Sequence, residues 1–298
     1  MIKMSLKERI EKAKVGLRLY SLKNQVRNLI SGIDKKDILL IAIFPLIIFL
    51  VMLLPLWIRE PLELNIENPS WWQYITQAFV HDGWKHFQGN LLCYFLYSFI
   101  GLLLANQSKE KKSFLKLLFF VILTLPIISS TVHVFLRLPL IKYALGSSGI
   151  ISSLASFMPI FGLIYLSKKN EKINFDIRMP LILLIYIFLI FAYKYSLNFF
   201  YLLLTVIFLL SFLYSLRTSF KYILLEIRKE IEFNLLRALL LIVSFLIFII
   251  VPLEIFPSLT KIFSEEVFVD FLVHYVGISY GIIISGFYFV FPHKIKNH

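Results

Sequence analysis

The sequence predicts an all-α polytopic membrane protein, and three observations carry that prediction. Of its 298 residues 59% are hydrophobic, 30 are Phe and mean hydropathy is +0.80, more apolar surface than a soluble domain of this size could bury. The apolar runs are unbroken stretches of Leu, Ile and Phe rather than the alternating pattern of barrel strands. Helices are then the spanning form, because each satisfies its own backbone hydrogen bonds. Finally, Lys and Arg fall in alternate connections between the runs.

Eight runs follow in order, at 38–58, 86–105, 114–136, 147–166, 179–193, 197–216, 236–253 and 268–291. Most approach the roughly 20 residues a bilayer requires. The fifth, about 15 residues or roughly 22 Å at helical rise, is short, and the seventh begins beside Arg237, whose long side chain can snorkel. With a cytoplasmic N-terminus and eight crossings, the inner segments are 1–37, 106–116, 167–178, 217–237 and 292–298. They hold 25 of the 31 Lys and Arg. The expected organisation is a basic amphipathic segment over 1–37, a membrane domain over 38–291 and a cytoplasmic tail over 292–298 in a cell-membrane protein. Residues 220–234 have the same amphipathic character as 1–37, and both are expected along the inner membrane face. Trp71, Trp72 and Tyr74 mark the first outer loop as interfacial, for anchoring or for substrate contact.

Charge and cysteine exclude more than they assign. A net charge of +13 is what cytoplasmic loops of a membrane protein give, so no nucleic-acid partner is expected. Cys93 has no second cysteine to pair with, and no cleaved leader is expected ahead of the first run. No motif calls for a metal or other cofactor.

Polar residues within apolar runs are costly, so each needs a reason. His86 and Asn90 are four apart and share a helix face, where their donors can meet a developing oxyanion or bond to a neighbouring helix. Gly146-Ser147-Ser148-Gly149 ends an outer loop and opens the fourth run, which would place a serine beside the positive end of a helix; the small residues also suit close helix contact. His274 can act as a general base, as a proton relay or as a structural side chain, and Gly277 and Gly281 put a bare stripe on its face. Asp270, one turn earlier, could orient it. The predicted topology puts His86, Ser148 and His274 near the outer ends of three spans that run in the same direction.

Together these motifs resemble the rhomboid family of intramembrane serine proteases. Residues 78–92, with His81, His86, Gly89 and Asn90, look like its second-helix signature; Gly146 to Gly149 look like its G-x-S-G, and His274 to Gly281 like its H-x-x-G-x-x-x-G. The resemblance implies a six-helix core, here with about two additional helices within 179–253. It further implies Ser148 as nucleophile, His274 as base, and an oxyanion hole made by the Ser148 backbone N–H with the His86 and Asn90 side chains. Gly146 would shape the adjoining loop, Gly149, Gly277 and Gly281 would serve close packing, and His81 would sit at the mouth of a water-filled cavity. Position 152, where a family tyrosine often stacks on the histidine, is Ser152, so His274 must be held otherwise. The implied partners are transmembrane substrates and the bilayer, with cleavage near the outer face. Two rival readings are an inactive relative that binds transmembrane helices and a transporter using His274 as proton relay.

Overall fold

The computed structural model describes residues 22–136, 142–194, 199–255 and 271–291. Each of the eight apolar runs forms a helix over most of its described part, and a further long helix lies between the sixth and seventh runs. In chain order they are α1 (Lys35–Met52), α2 (Trp84–Gln107), α3 (Lys111–Leu136), α4 (Ser148–Lys169), α5 (Arg178–Lys194), α6 (Phe199–Ser215), α7 (Arg217–Phe233), α8 (Leu235–Ile255) and α9 (Phe271–Val290). By length and composition α2, α3, α4, α8 and α9 can cross a membrane, while α5 and α6 have 17 residues each. The protein is an all-α polytopic membrane protein.

The first run is the one whose boundary moves. Helix α1 stops at Met52, and Leu56–Arg59 forms a separate short helix after Pro55, where the sequence pattern carried one helix to 58. Proline disfavours helical geometry in the residue before it and lacks the N–H that would continue the ladder.

Helix α4 is the axis of the bundle. Every residue from Gly149 to Leu166 is buried, with α2, α3, α8 and α9 packed around it. Its core includes an edge-to-face aromatic cluster of Phe157 and Phe161 with Phe114 of α3 and Phe289 of α9. Helix α8 also reaches α2, while α5 packs on α9 and α8, and α6 packs on α5. The α5–α6 pair therefore sits on the flank of the bundle.

Polar contacts at one end fix how the helices alternate. Lys111 at the start of α3 pairs with Asp37 of α1 at 2.7 Å, and Lys168 of α4 pairs with Glu110. Glu230 of α7, only 3% exposed, accepts a hydrogen bond from Tyr165 of α4 at 2.6 Å and pairs with Lys169 and with Arg237 of α8. Burying a carboxylate is tolerable only with such partners. Asn106 and Gln107 at the end of α2 donate to the carbonyls of Ser31 and Leu29, which ties down the described part of the N-terminal segment. These are the ends that the charge pattern assigned to one face.

Candidate active site

The opposite end is built from the outer loop and the starts of α2, α4 and α9. Strand β1 (Leu64–Asn65) pairs antiparallel with β2 (Tyr143–Ala144), and the Ile66 N–H donates to the Lys142 carbonyl at 3.0 Å. The loop that leads into α4 is thereby fastened to the first outer loop. Gly146 follows with φ +111°, a left-handed conformation that favours glycine, and its N–H donates to the Gln77 carbonyl at 2.9 Å. A Cβ there would lie 3.3 Å from Cε1 of His86, so the loop backbone rests against that imidazole.

His81 and Asn90 form the second part of the site. The Asn90 Nδ2–H donates to His81 Nε2 at 2.9 Å, and Ser147 Oγ lies 3.2 Å from the same nitrogen. Nε2 is therefore the acceptor, and the ring proton sits on Nδ1. His81 is 1% exposed, its ring drawn inward by Asn90 and Ser147, with which it lines a small cavity. Burial, helped by the neighbouring His86, pushes its pKa down to about 3 from an ordinary 6.5. Native His81 thus stays neutral over a range in which the unfolded histidine takes up a proton. Its contribution to stability is present above about pH 6.5 and is lost as pH falls toward 3. The steepest loss from this one group is about 1.4 kcal/mol per pH unit. The unfolding midpoint in detergent is expected to drop between pH 7 and pH 5, and His81→Gln should flatten that drop. An equal drop in both proteins would show that His81 is not its source.

Ser147 caps α4 in position but not in chemistry. It occupies the N-cap without a side-chain cap hydrogen bond, and its hydroxyl faces His81 instead. The first N–H groups of α4 are therefore not consumed by their own cap. Ser148 begins the helix, half-buried, and its hydroxyl makes no hydrogen bond among the described residues.

His274 approaches from α9, which packs on α4 almost without intervening side chains. A Cβ at Gly277 would lie 2.2 Å from the Gly149 carbonyl oxygen, and one at Gly281 would lie 2.2 Å from Ser156 Oγ and 2.5 Å from Ser153 Oγ. Val273 touches Gly149, Ser152 Oγ is 3.0 Å from His274 Nδ1, and the Phe161 and Phe289 ring centroids are 5.4 Å apart. Residue numbers rise together along both helices, so α4 and α9 are parallel. Between them lie α8, which can cross by length and composition, and the 17-residue helices α5 and α6. Thr124 of α3 meets Tyr280 at 2.8 Å and Ser113 meets Tyr288 at 3.4 Å, which runs α9 antiparallel to α3, as alternation demands.

The structure therefore gathers His81, His86, Asn90, Gly146 and Ser147 on one side of the start of α4, and His274 with Ser152 on the other. Ser147, Ser152 and Gln77 were not among the predicted site residues; Ser152 stood out in the sequence only as a departure from the family pattern. Asp270 lies outside the described residues.

A family model for the Rhomboid domain matches residues 68–211. Over these residues the chain carries a Rhomboid domain. That family is mostly intramembrane serine proteases with some inactive members, so this rhomboid is of the protease type or an inactive relative. The matched region holds His81, His86, Asn90 and Ser148 and ends before α9. No curated protein and no solved structure matches the chain.

Proposed function

We propose that this rhomboid is an active intramembrane serine protease that cuts transmembrane segments near their outer ends, with Ser148 as nucleophile and His274 as its base. The observation that carries the reading is the contact between His274 Nδ1 and the Oγ of Ser152, one turn below Ser148 on the same helix face, at 3.0 Å. It sets the His274 ring against the α4 surface that bears Ser148, where a histidine can take the proton of an attacking hydroxyl. Contacts of a catalytic pair often tighten only when substrate is present.

The rest of the site supports the same chemistry. As a carbonyl is attacked, negative charge develops on its oxygen and needs donors already in place. The uncapped start of α4 supplies the Ser148 N–H, His86 lies against Gly146, and Asn90 has one amide proton on His81 and a second to offer. Because a helix hides its carbonyls, cleavage should favour substrates with helix-weakening residues near the scissile bond. The concentration of Lys and Arg at the other end supports a cytoplasmic placement of both termini and an outward-facing site.

The test is to incubate detergent-solubilised protein with a fluorophosphonate probe and, separately, with single-pass transmembrane substrates. Labelling at Ser148 together with cleavage near the outer end is expected. An inactive relative or a transporter would give neither, and that result would end the proposal. Asn90→Ala is expected to lower kcat by roughly 10²-fold, the lower range for loss of one oxyanion donor. Unchanged turnover would remove Asn90 from the hole.

A further inference from the structure

We propose that the corner between α6 and α7 is a binding site for an anionic phospholipid, whose phosphate meets Arg217 and Lys221 while its acyl chains lie along α6. The inference goes beyond the protease reading and does not depend on it. It starts from the two faces of α7. Ser219, Ile223, Glu226 and Glu230 recur at helical spacing and are buried where α7 packs on α8 and α4. Their two carboxylates are taken up within the protein, Glu226 by Lys229 at 2.7 Å and Asn170 at 2.9 Å, and Glu230 by Lys169 and Arg237. Arg217, Lys221, Leu224 and Arg228 recur at the same spacing two residues out of phase, about 200° around the helix, and all four are exposed.

This outer face borders an open groove of about 670 Å³, with Leu213, Phe220 and Leu224 as its apolar lining and Arg217, Lys221 and Arg228 as its charges. No carboxylate lines it among the described residues. Arg228 pairs with Glu232 at 3.3 Å, both well exposed, which is a weak contact. On α6 the exposed residues Leu203, Ile207, Leu210 and Tyr214 form an apolar track at helical spacing that leads to Arg217. The Arg217 guanidinium lies over the Tyr214 ring at 4.3 Å, and a stacked guanidinium keeps its edge donors for a phosphate. Charge complementarity selects the occupant. Free phosphate or an acidic peptide would use the cations and leave the track bare, and an uncharged lipid would do the reverse. An anionic phospholipid matches both.

The experiment titrates full-length protein in uncharged maltoside micelles with phosphatidylglycerol, phosphatidylcholine or glycerol 3-phosphate, counting bound lipid by native mass spectrometry and following the unfolding midpoint. Phosphatidylglycerol is expected to bind and to raise the midpoint, and the other two to do neither. Arg217→Gln with Lys221→Gln should weaken its binding roughly thirtyfold, about fivefold per cation, and leave the lipid-free midpoint unchanged because both side chains are exposed. Arg217→Lys with Lys221→Arg keeps both charges and should bind like wild type. Lys112→Gln with Lys116→Gln removes the same charge from the exposed surface of α3 and should leave binding within about twofold of wild type. Equal losses in the two glutamine pairs would make binding a matter of net charge and overturn the site. Phosphatidylcholine binding as tightly as phosphatidylglycerol, or glycerol 3-phosphate displacing the lipid at equal concentration, would overturn it as well.

Discussion

Ser148→Ala is expected to abolish fluorophosphonate labelling and to reduce cleavage of a transmembrane substrate by a factor on the order of 10⁴ or more. Alanine removes the oxygen that would form the acyl-enzyme, while the oxyanion donors and the substrate path stay in place. What remains is the modest acceleration that binding and donors give alone. His274→Ala should lose a comparable amount, because an unactivated serine hydroxyl is a poor nucleophile at neutral pH. The double variant should be little worse than either single one, since residues that act as a unit do not contribute additively. Labelling that survives Ser148→Ala, or losses that multiply in the double variant, would show that the two residues are not a pair.

The largest expected effect on stability comes from Gly277→Ala. Its new methyl would sit 2.2 Å from the carbonyl oxygen of Gly149 and 3.0 Å from that residue's Cα. Main chain cannot rotate away as a side chain can, so α9 must shift as a body and give up contacts along α4. A cost of about 3 kcal/mol or more is expected, at the upper end of what overpacking produces. Gly89→Ala is the control, because nothing lies within 4 Å of the Cβ it would add, and alanine favours the helix by about 1 kcal/mol. Unfolding midpoints in detergent should fall sharply for the first and hold or rise for the second. Equal midpoints would mean that α9 does not press on α4 as described.

The helices could be read from the sequence because lipid leaves the chain few choices. Long apolar runs become helices, and charges sort to their ends, so the contacts among Asp37, Lys111, Glu110 and Lys168 were foreshadowed by which segments were basic. The break at Pro55 was available too, but run length outweighed it in a reading based on hydropathy. Side-chain partners within the site were less accessible. That His81 turns inward depends on Asn90, nine residues on, and on Ser147, sixty-six residues on, meeting at one nitrogen. Spacing within a single helix carries no such information. Ser152 was noticed as a missing tyrosine, a statement about the family, whereas its contact with a histidine 122 residues away belongs to this chain's helix packing.

The meeting of Gly277 with Gly149 also sets how rigidly the site is held. Where two helices touch through side chains, rotamer changes let one slide or roll against the other. Contact through bare main chain offers no such play, so the pair has a single register. The height of His274 along α4 is then fixed by peptide geometry, much as a dowel fixes two plates, and movement that admits a substrate helix falls to the elements around this pair.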